Sequence, residues 1–243
     1  MRLNEKEALR YLGFRGRPAD AETVRAVREI GAALEKSLQP KCVSRRYAVR
    51  VSDTAVELDG WRIESVKLAR HLRGAEAAYL FAATLGVQAD AMVRRYAVRG
   101  AAAGAVADAV CSALIEDYCD EMQARLAAEE ARNGLFLRPR FSPGYGDFAL
   151  ESQREIFPRL ACEKRIGVTL TDSLLMTPFK SVTAVIGVTA SPDCAYNKCA
   201  ACTNTACAFR AEMEAPEKVR ESAGAEGSGD ETPRKERVKE CIG

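Results

Sequence analysis

The sequence predicts an α+β domain. Strand-like runs group together without a regular strand–helix alternation, and one long amphipathic helix separates the early runs from the late ones. Composition agrees: 47% of the 243 residues are hydrophobic and 29% are charged, which is ordinary for a globular chain. That length is enough to bury a sizeable core. Thirty-six basic against thirty-four acidic residues leave a net charge of +2. There is thus no electrostatic case for nucleic acid or for an anionic membrane surface as partner.

The elements follow in order. Asn4 and Glu7 form a capping box for a first helix, and Gly13 is its natural C-cap after Leu12. Asp20 caps a second helix whose inner face is Val24, Val27, Ile30, Leu34 and Leu38, ended by Pro40. Residues 42–51 (CVSRRYAVRV) alternate like a strand. Residues 55–64 (AVELDGWRIE) read as a hairpin around Asp59-Gly60, a dipeptide suited to the positive φ angles of a two-residue turn. Ser65 to Arg73 is a short helix closed by Gly74, and residues 77–86 are a continuous apolar run, a buried strand. From Ala101 to about Glu130, apolar residues recur every four positions (Val106, Val110, Leu114, Tyr118, Met122, Leu126), one stripe of a helix about 40–45 Å long. A short amphipathic helix carries Ile156, Phe157 and Leu160. Two further strand-like runs, 166–170 and 181–188, complete a domain expected over residues 1–190.

Residues 191–210 hold a cysteine cluster and form a unit of their own. Residues 211–243 are charged and rich in glycine and proline, with almost no large apolar side chain. Such a segment buries too little surface to offset its ordering entropy, so a disordered tail is expected. The amino terminus has no apolar secretory core, and no run of eighteen apolar residues exists to span a membrane. The expected location is the cytoplasm. There nine cysteines point to thiols or metal ligands rather than disulfides.

Four of these cysteines, Cys194, Cys199, Cys202 and Cys207, fall within fourteen residues at spacings of x4, x2 and x4. Small and turn-forming residues between them let the chain curl round one soft metal centre, either an iron–sulfur cluster or a tetrahedral zinc. Cys42, Cys111, Cys119, Cys162 and Cys241 are scattered. Those in apolar surroundings read as small buried hydrophobes.

The second stretch that bears chemistry is RPRFSPGYGDF, Arg138 to Phe148. A guanidinium grips a carboxylate with two parallel hydrogen bonds. A backbone shaped by Pro143, Gly144 and Gly146 presents N–H and C=O groups to a heterocycle, and Tyr145 adds a flat face with a polar tip. Together these suit a zwitterionic ligand carrying an aromatic base, although a plain tight turn has the same composition. The single histidine, His71, lies among arginines and reads as a surface residue rather than a general base. No glycine-rich loop follows a strand as a Rossmann or P-loop nucleotide site requires.

Taken together, Arg140, Pro143, Gly144 and Tyr145, followed by Leu170, Thr171, Ser173, Met176, Pro178, Ser181 and Val182, resemble the two signature segments of the cobalamin-dependent methionine synthase activation (reactivation) domain. The likeness is strong from about Ala101 to Val188. Towards the amino terminus it continues as the stand-alone bacterial form, which serves a synthase lacking its own activation module. The resemblance implies a C-shaped single domain with a bent antiparallel sheet and flanking helices, binding S-adenosylmethionine. By that resemblance Arg140 grips the ligand, backbone at Ser142 reads the adenine, Tyr145 lies close to ligand and corrin, and Gly144 belongs to the same binding segment.

The family returns oxidised cobalamin on its partner to the methylated form by one-electron reduction coupled to methyl transfer. No side chain need act as nucleophile or acid, so no catalytic residue is expected here. A family glutamate on the long helix falls at Ser112 in this chain, with Glu116 one turn on, which weakens the hold on the ligand or moves the acidic role elsewhere. The cysteine cluster is absent from the fused domains, which take electrons from a flavoprotein. It suggests a local iron–sulfur relay fed by ferredoxin or flavodoxin. The alternative is a non-catalytic corrinoid-protein adaptor with a structural zinc. An independent methyltransferase is disfavoured by the missing glycine-rich site.

Overall fold

The computed structural model describes residues 1–191. One antiparallel sheet of six strands runs in the order β3-β2-β1-β4-β8-β5, from β1 (Lys41–Val51), β2 (Ala55–Leu58), β3 (Trp61–Glu64), β4 (Ala77–Thr84), β5 (Phe136–Leu137) and β8 (Ser181–Thr189). β6 (Thr169–Leu170) and β7 (Met176–Thr177) make a separate ribbon. The helices are α1 (Glu5–Tyr11), α2 (Ala21–Ser37), α3 (Val66–His71), α4 (Val87–Arg99), α5 (Ala101–Ala131), α6 (Gln153–Leu160) and α7 (Cys162–Ile166). The α+β class read from the sequence is the observed one.

β4 is the hinge of the packing. All eight of its residues are buried, because helices cover both of its faces. Ala77, Tyr79, Phe81 and Ala83 join the core under α1, α2, α4 and α5, while Ala78, Leu80 and Ala82 join a second core with β2, β3, α3, α6 and α7. This is why its sequence is an unbroken apolar run rather than an alternation. β1 changes neighbours along its length. Residues 41–48 pair with β4, and Val49 to Val51 pair with β2, so one long strand hands the sheet from its larger part to the β2–β3 hairpin. Asp59 and Gly60 turn that hairpin with φ angles of 47° and 73°, the mirror-image geometry that suits the right-handed twist of the strands.

α5 spans 31 residues, about 46 Å at 1.5 Å per residue. Val106, Val110, Leu114 and Tyr118 face the core as the four-residue spacing predicts. Its far end is clamped to the sheet. Glu130, buried, accepts hydrogen bonds from the Tyr79 hydroxyl at 2.7 Å and from Arg46 Nε at 2.9 Å. Burial, then the Glu130 carboxylate, push the Tyr79 phenol up to about 12.

Asn4 and Asp20 cap as expected, each accepting from the backbone N–H three residues on. The capping box is half made, since the Asn4 N–H donates to Asp117 and the Glu7 carboxylate accepts from Arg10. Ser65, read as the first helical residue, is a cap as well and accepts from Leu68 N–H. Three further readings change. α4 and α7 are additional helices: α4 turns Ala89, Met92, Val93 and Tyr96 (i, i+3, i+4, i+7) towards the core beside α5, and α7 buries Cys162 and Ile166 one turn apart. The run 166–170 is a strand only at Thr169 and Leu170, since Ile166 closes α7 and Gly167 is its left-handed C-cap. His71 is 2% exposed, not on the surface. It lies on the inner face of α3, where Nε2 is 2.8 Å from the Pro139 carbonyl and the ring meets Phe141 at 5.1 Å. The scattered cysteines Cys111, Cys119 and Cys162 are buried free thiols, as their surroundings predict. Among the described residues, no helix is long and apolar enough to cross a membrane.

Candidate functional site

The stretch 138–148 leaves the sheet edge beside β8. Arg138 N–H donates to Gly187 O at 2.8 Å, and Phe141 exchanges two backbone hydrogen bonds with Val185 (2.9 and 2.8 Å). Ser142-Pro143-Gly144-Tyr145 then forms a tight turn, with Tyr145 N–H on the Ser142 carbonyl at 3.2 Å and Gly144 at φ +90°. Proline at the second position and a positive φ at the third are the type II signature, and the third position favours glycine. A second turn, Tyr145 to Phe148, closes at 3.0 Å with Gly146 at φ +64°. A Cβ at Gly146 would also meet Lys67 Cδ at 2.5 Å, so the flexible lysine chain would have to move aside; the positive φ is the firmer demand for glycine. Phe148 is buried beneath the pair of turns, and Tyr145 stands above them, 63% exposed.

Asp147 locks these turns to α3. Its carboxylate accepts from the Ser65 hydroxyl and from the N–H groups of Val66 (2.9 Å) and Lys67 (3.1 Å), capping from a distance the first turn of a six-residue helix. Slight burial raises its carboxyl, but the hydrogen bonds from Ser65, Lys67 and Val66 outweigh that and hold it below its ordinary value of 3.8. A depressed carboxyl adds stability that is present above its unfolded pKa and is lost as pH falls through the folded one. Asp147→Ala is therefore expected to destabilise the domain at neutral pH by about 0.5–2 kcal/mol, as cap removal does. In urea titrations the gap to wild type should close as pH drops below about 4.

Arg140 lies at the base of the first turn, with its side chain 12% exposed. Its partners come from three positions on one face of α5, spaced i, i+4, i+7. Glu116 accepts from Nη2 at 2.9 Å, and Asp120 and Gln123 accept from Nη1 at 2.7 and 3.1 Å. Gln123 in turn donates to the Arg138 carbonyl at 3.2 Å, which fixes its amide. Burial alone would lower the guanidinium, but neighbouring Cys119, Asp120 and Glu116 outweigh it and raise its pKa. Burial pushes the Cys119 thiol up to about 12, against the pull of Arg140. Burial, then the nearby Glu116 carboxylate, push the phenol of Tyr11 at the end of α1 up to about 12, so the amino-terminal helix flanks the same place.

Ser112 occupies another turn of that helix face. Its hydroxyl accepts from Lys180 Nζ at 2.9 Å, and Lys180 is paired to Asp108 at 2.7 Å. The acids that face Arg140 are thus Glu116 and Asp120. From the sequence, Glu116 could be singled out but Asp120 and Gln123 could not, since α5 carries other polar residues, Asp117, Glu121 and Arg125 among them, and only the fold shows which of them meet Arg140. The second signature segment builds a hairpin. Thr171 N–H donates to Leu175 O at 2.9 Å, Thr171 Oγ1 accepts from Leu175 N–H at 3.0 Å, and Ser181 Oγ donates to the Pro178 carbonyl at 2.7 Å. Two concavities of about 400 and 370 Å³ lie elsewhere, one along β1 at Arg45 and Arg50, one beside Gly86 and Ile166; neither is lined by residues 138–148. Among the described residues no three His, Cys, Asp or Glu side chains come together to hold a metal. Cys194, Cys199, Cys202 and Cys207 lie outside the described residues.

An antiparallel sheet covered by helices, with an arginine beneath a Pro-Gly-Tyr turn at its edge, is the setting of the candidate site. The fold is similar to that of the MetH reactivation domain in a crystal structure with bound AdoHcy: TM-score 0.54, 18% identity, 77% of each chain covered. The sequence pattern of the family described as "Vitamin B12 dependent methionine synthase, activation domain" matches residues 71–212, more than half of the chain. The chain belongs to that family. No curated protein matches it.

Proposed function

We propose that this domain binds S-adenosylmethionine through residues 140–145 and presents its methyl group to the cobalamin of a partner methionine synthase, so returning an inactive synthase to its cycle. One observation supports the reading most: Arg140 of the family motif lies under a glycine-shaped turn with its guanidinium already aligned by Gln123 and Glu116. The donor set fits the ligand. A guanidinium suits the carboxylate, acids on the same helix face suit an ammonium, the second lone pair of the Ser142 carbonyl suits an adenine amino group, and exposed Tyr145 offers a flat face. The AdoHcy held by the similar MetH domain is of the same ligand class.

When bound, S-adenosylmethionine supplies a methyl group activated by its sulfonium. The chain's own contribution is positioning: Arg140 and the turn orient the ligand, and no protein side chain need act as acid or nucleophile. The partner is a synthase that lacks this module. We also propose that Cys194, Cys199, Cys202 and Cys207 hold an iron–sulfur cluster that relays one electron from a ferredoxin or flavodoxin; their spacing of x4, x2 and x4 supports this.

Titration calorimetry tests the ligand. Saturable binding of S-adenosylmethionine is expected, and its absence would leave the second reading, a non-catalytic corrinoid-protein adaptor with structural zinc. That reading is favoured by one observation, the cation Lys180 seated on Ser112 where the family carries an acid.

A further inference from the structure

β1 is covered on both edges over only part of its length. Residues 41–48 pair with β4 on one side, whereas β2 covers the other side only from Val49 to Val51 before the chain turns away at Asp59-Gly60. Neighbouring residues of a strand point their backbone groups to opposite edges. The Val49 N–H donates to Glu76 O on the β4 side and the Ser52 N–H to Ala55 O on the β2 side, so Ser44, Arg46 and Ala48 face the uncovered edge. Among the described residues no hydrogen bond reaches the N–H or C=O of these three. The concavity of about 400 Å³ along β1 lies at this step in the sheet. An open edge of this kind is a template for one more strand.

The edge selects what can pair with it. Arg46 and Arg50 stand on one face with only Ala48 between them. Arg46 gives Glu130 a single nitrogen, and Arg50 lies 3.9 Å from Glu57 with its side chain 86% exposed. On the other face Val43 and Tyr47 join the core that α6 and α7 complete. A second copy of this edge would set arginines against arginines, which disfavours self-pairing. Its complement is a strand with acids on one face and apolar side chains on the other. Residues 209–215 of the same chain, FRAEMEA, have that pattern: Phe209, Ala211, Met213 and Ala215 alternate with Arg210, Glu212 and Glu214, and Pro216 ends the run. The segment is also within reach. Val188, near the end of β8, pairs with Ala77, and Ala77 with Ala48, so β8 ends two strands from the open edge. With one more strand spacing the distance is about 14 Å, which residues 192–208 can span at about 3.3 Å each.

We propose that residues 209–215 add to the open edge of β1 as a further strand of the sheet, with Glu212 and Glu214 beside Arg46 and Arg50, and with Phe209, Ala211 and Met213 beside Val43 and Tyr47. Both ends of the cysteine segment 194–207 are then held by one sheet. Amide hydrogen exchange, read residue by residue by NMR on the full chain, tests this. The Ser44, Arg46 and Ala48 amides are expected to exchange slowly in wild type and about tenfold or more faster in two variants. Glu212→Lys/Glu214→Lys sets cations against the arginines, and Met213→Pro puts into the segment a residue that a strand interior does not accommodate. The Arg45 and Tyr47 amides, on the β4 side opposite Leu80 and Ala78, should stay protected in all three proteins and so report an intact sheet. The variants act in different ways, so if one fails to fold the other decides. Wild-type amides at 44, 46 and 48 that exchange as fast as open-chain ones overturn the proposal, because the edge is then bare. Protection that survives both variants overturns it as well. So does protection that grows with protein concentration, which would place a second copy on the edge.

Discussion

Arg140→Ala is expected to weaken S-adenosylmethionine binding by on the order of 10- to 100-fold, the equivalent of about 1.5–3 kcal/mol for a charge-assisted hydrogen-bonded pair. The loss follows from geometry. The side chain is 12% exposed and makes three contacts to α5, so its guanidinium is oriented before any ligand arrives. Arg140→Lys should recover only part of the affinity, because an ammonium is a point charge and cannot form two parallel bonds to one carboxylate. Removing the guanidinium also leaves Glu116 and Asp120 facing each other without a cation, so thermal midpoints should be measured beside the calorimetry. An alanine variant that is folded and binds as tightly as wild type would mean that Arg140 only holds the turn to α5.

The larger qualitative effect is expected at the cysteines. Protein purified without oxygen should be brown and contain iron and acid-labile sulfide, and Cys199→Ser or Cys202→Ser should bleach it. Iron–sulfur clusters span about −700 to +450 mV, so a low-potential relay is chemically accessible, whereas zinc has no redox step and can only brace a loop. The serine variants should keep S-adenosylmethionine binding, since Arg140, Ser142 and Tyr145 lie in a turn built from residues 138–148 and α5. They should fail to restore the methylated cobalamin of a partner synthase when a ferredoxin-type donor supplies the electron. Colourless wild-type protein with one stoichiometric zinc, from iron-replete cells, would remove the relay and leave the adaptor.

Much of the fold was legible because local chemistry and global packing agree. Asn4 and Asp20 could be read as caps because a side-chain oxygen three residues ahead of an N–H satisfies it whatever else is near. The stripe on α5 and the apolar run of β4 could be read because burial on one face or on two leaves different periods. α4 could not. Ala89, Met92, Val93 and Tyr96 lie at helical spacing against the core, but only Ala89 is fully buried and the helix begins at Gly86 with no side-chain cap to announce it; it is held by its neighbour α5 and by Asp90, which accepts the Phe179 N–H at 3.0 Å. His71 was misread for a related reason: two flanking arginines marked the solvent side of α3, and its burial comes from Pro139 and Phe141, about seventy positions away in sequence.

The candidate site divides in the same way. By itself, the sequence determined the turn: Pro143 fixes one φ, Gly144 and Gly146 permit two positive ones, and these are properties of single residues that hold in any fold. It also fixed the cysteine spacing and the order of the two signature segments. Only the tertiary structure decided what the turn faces. It laid the 138–148 stretch across α5 so that Arg140 meets Glu116, Asp120 and Gln123, gave Ser112 to Lys180 instead, and used Asp147 to tie the turn to α3. Those partners are 17 to 82 positions apart, and no local propensity carries information over such a separation. What sets them is the packing of two cores on opposite faces of β4, which brings the helix, the strand edge and the turn to one place.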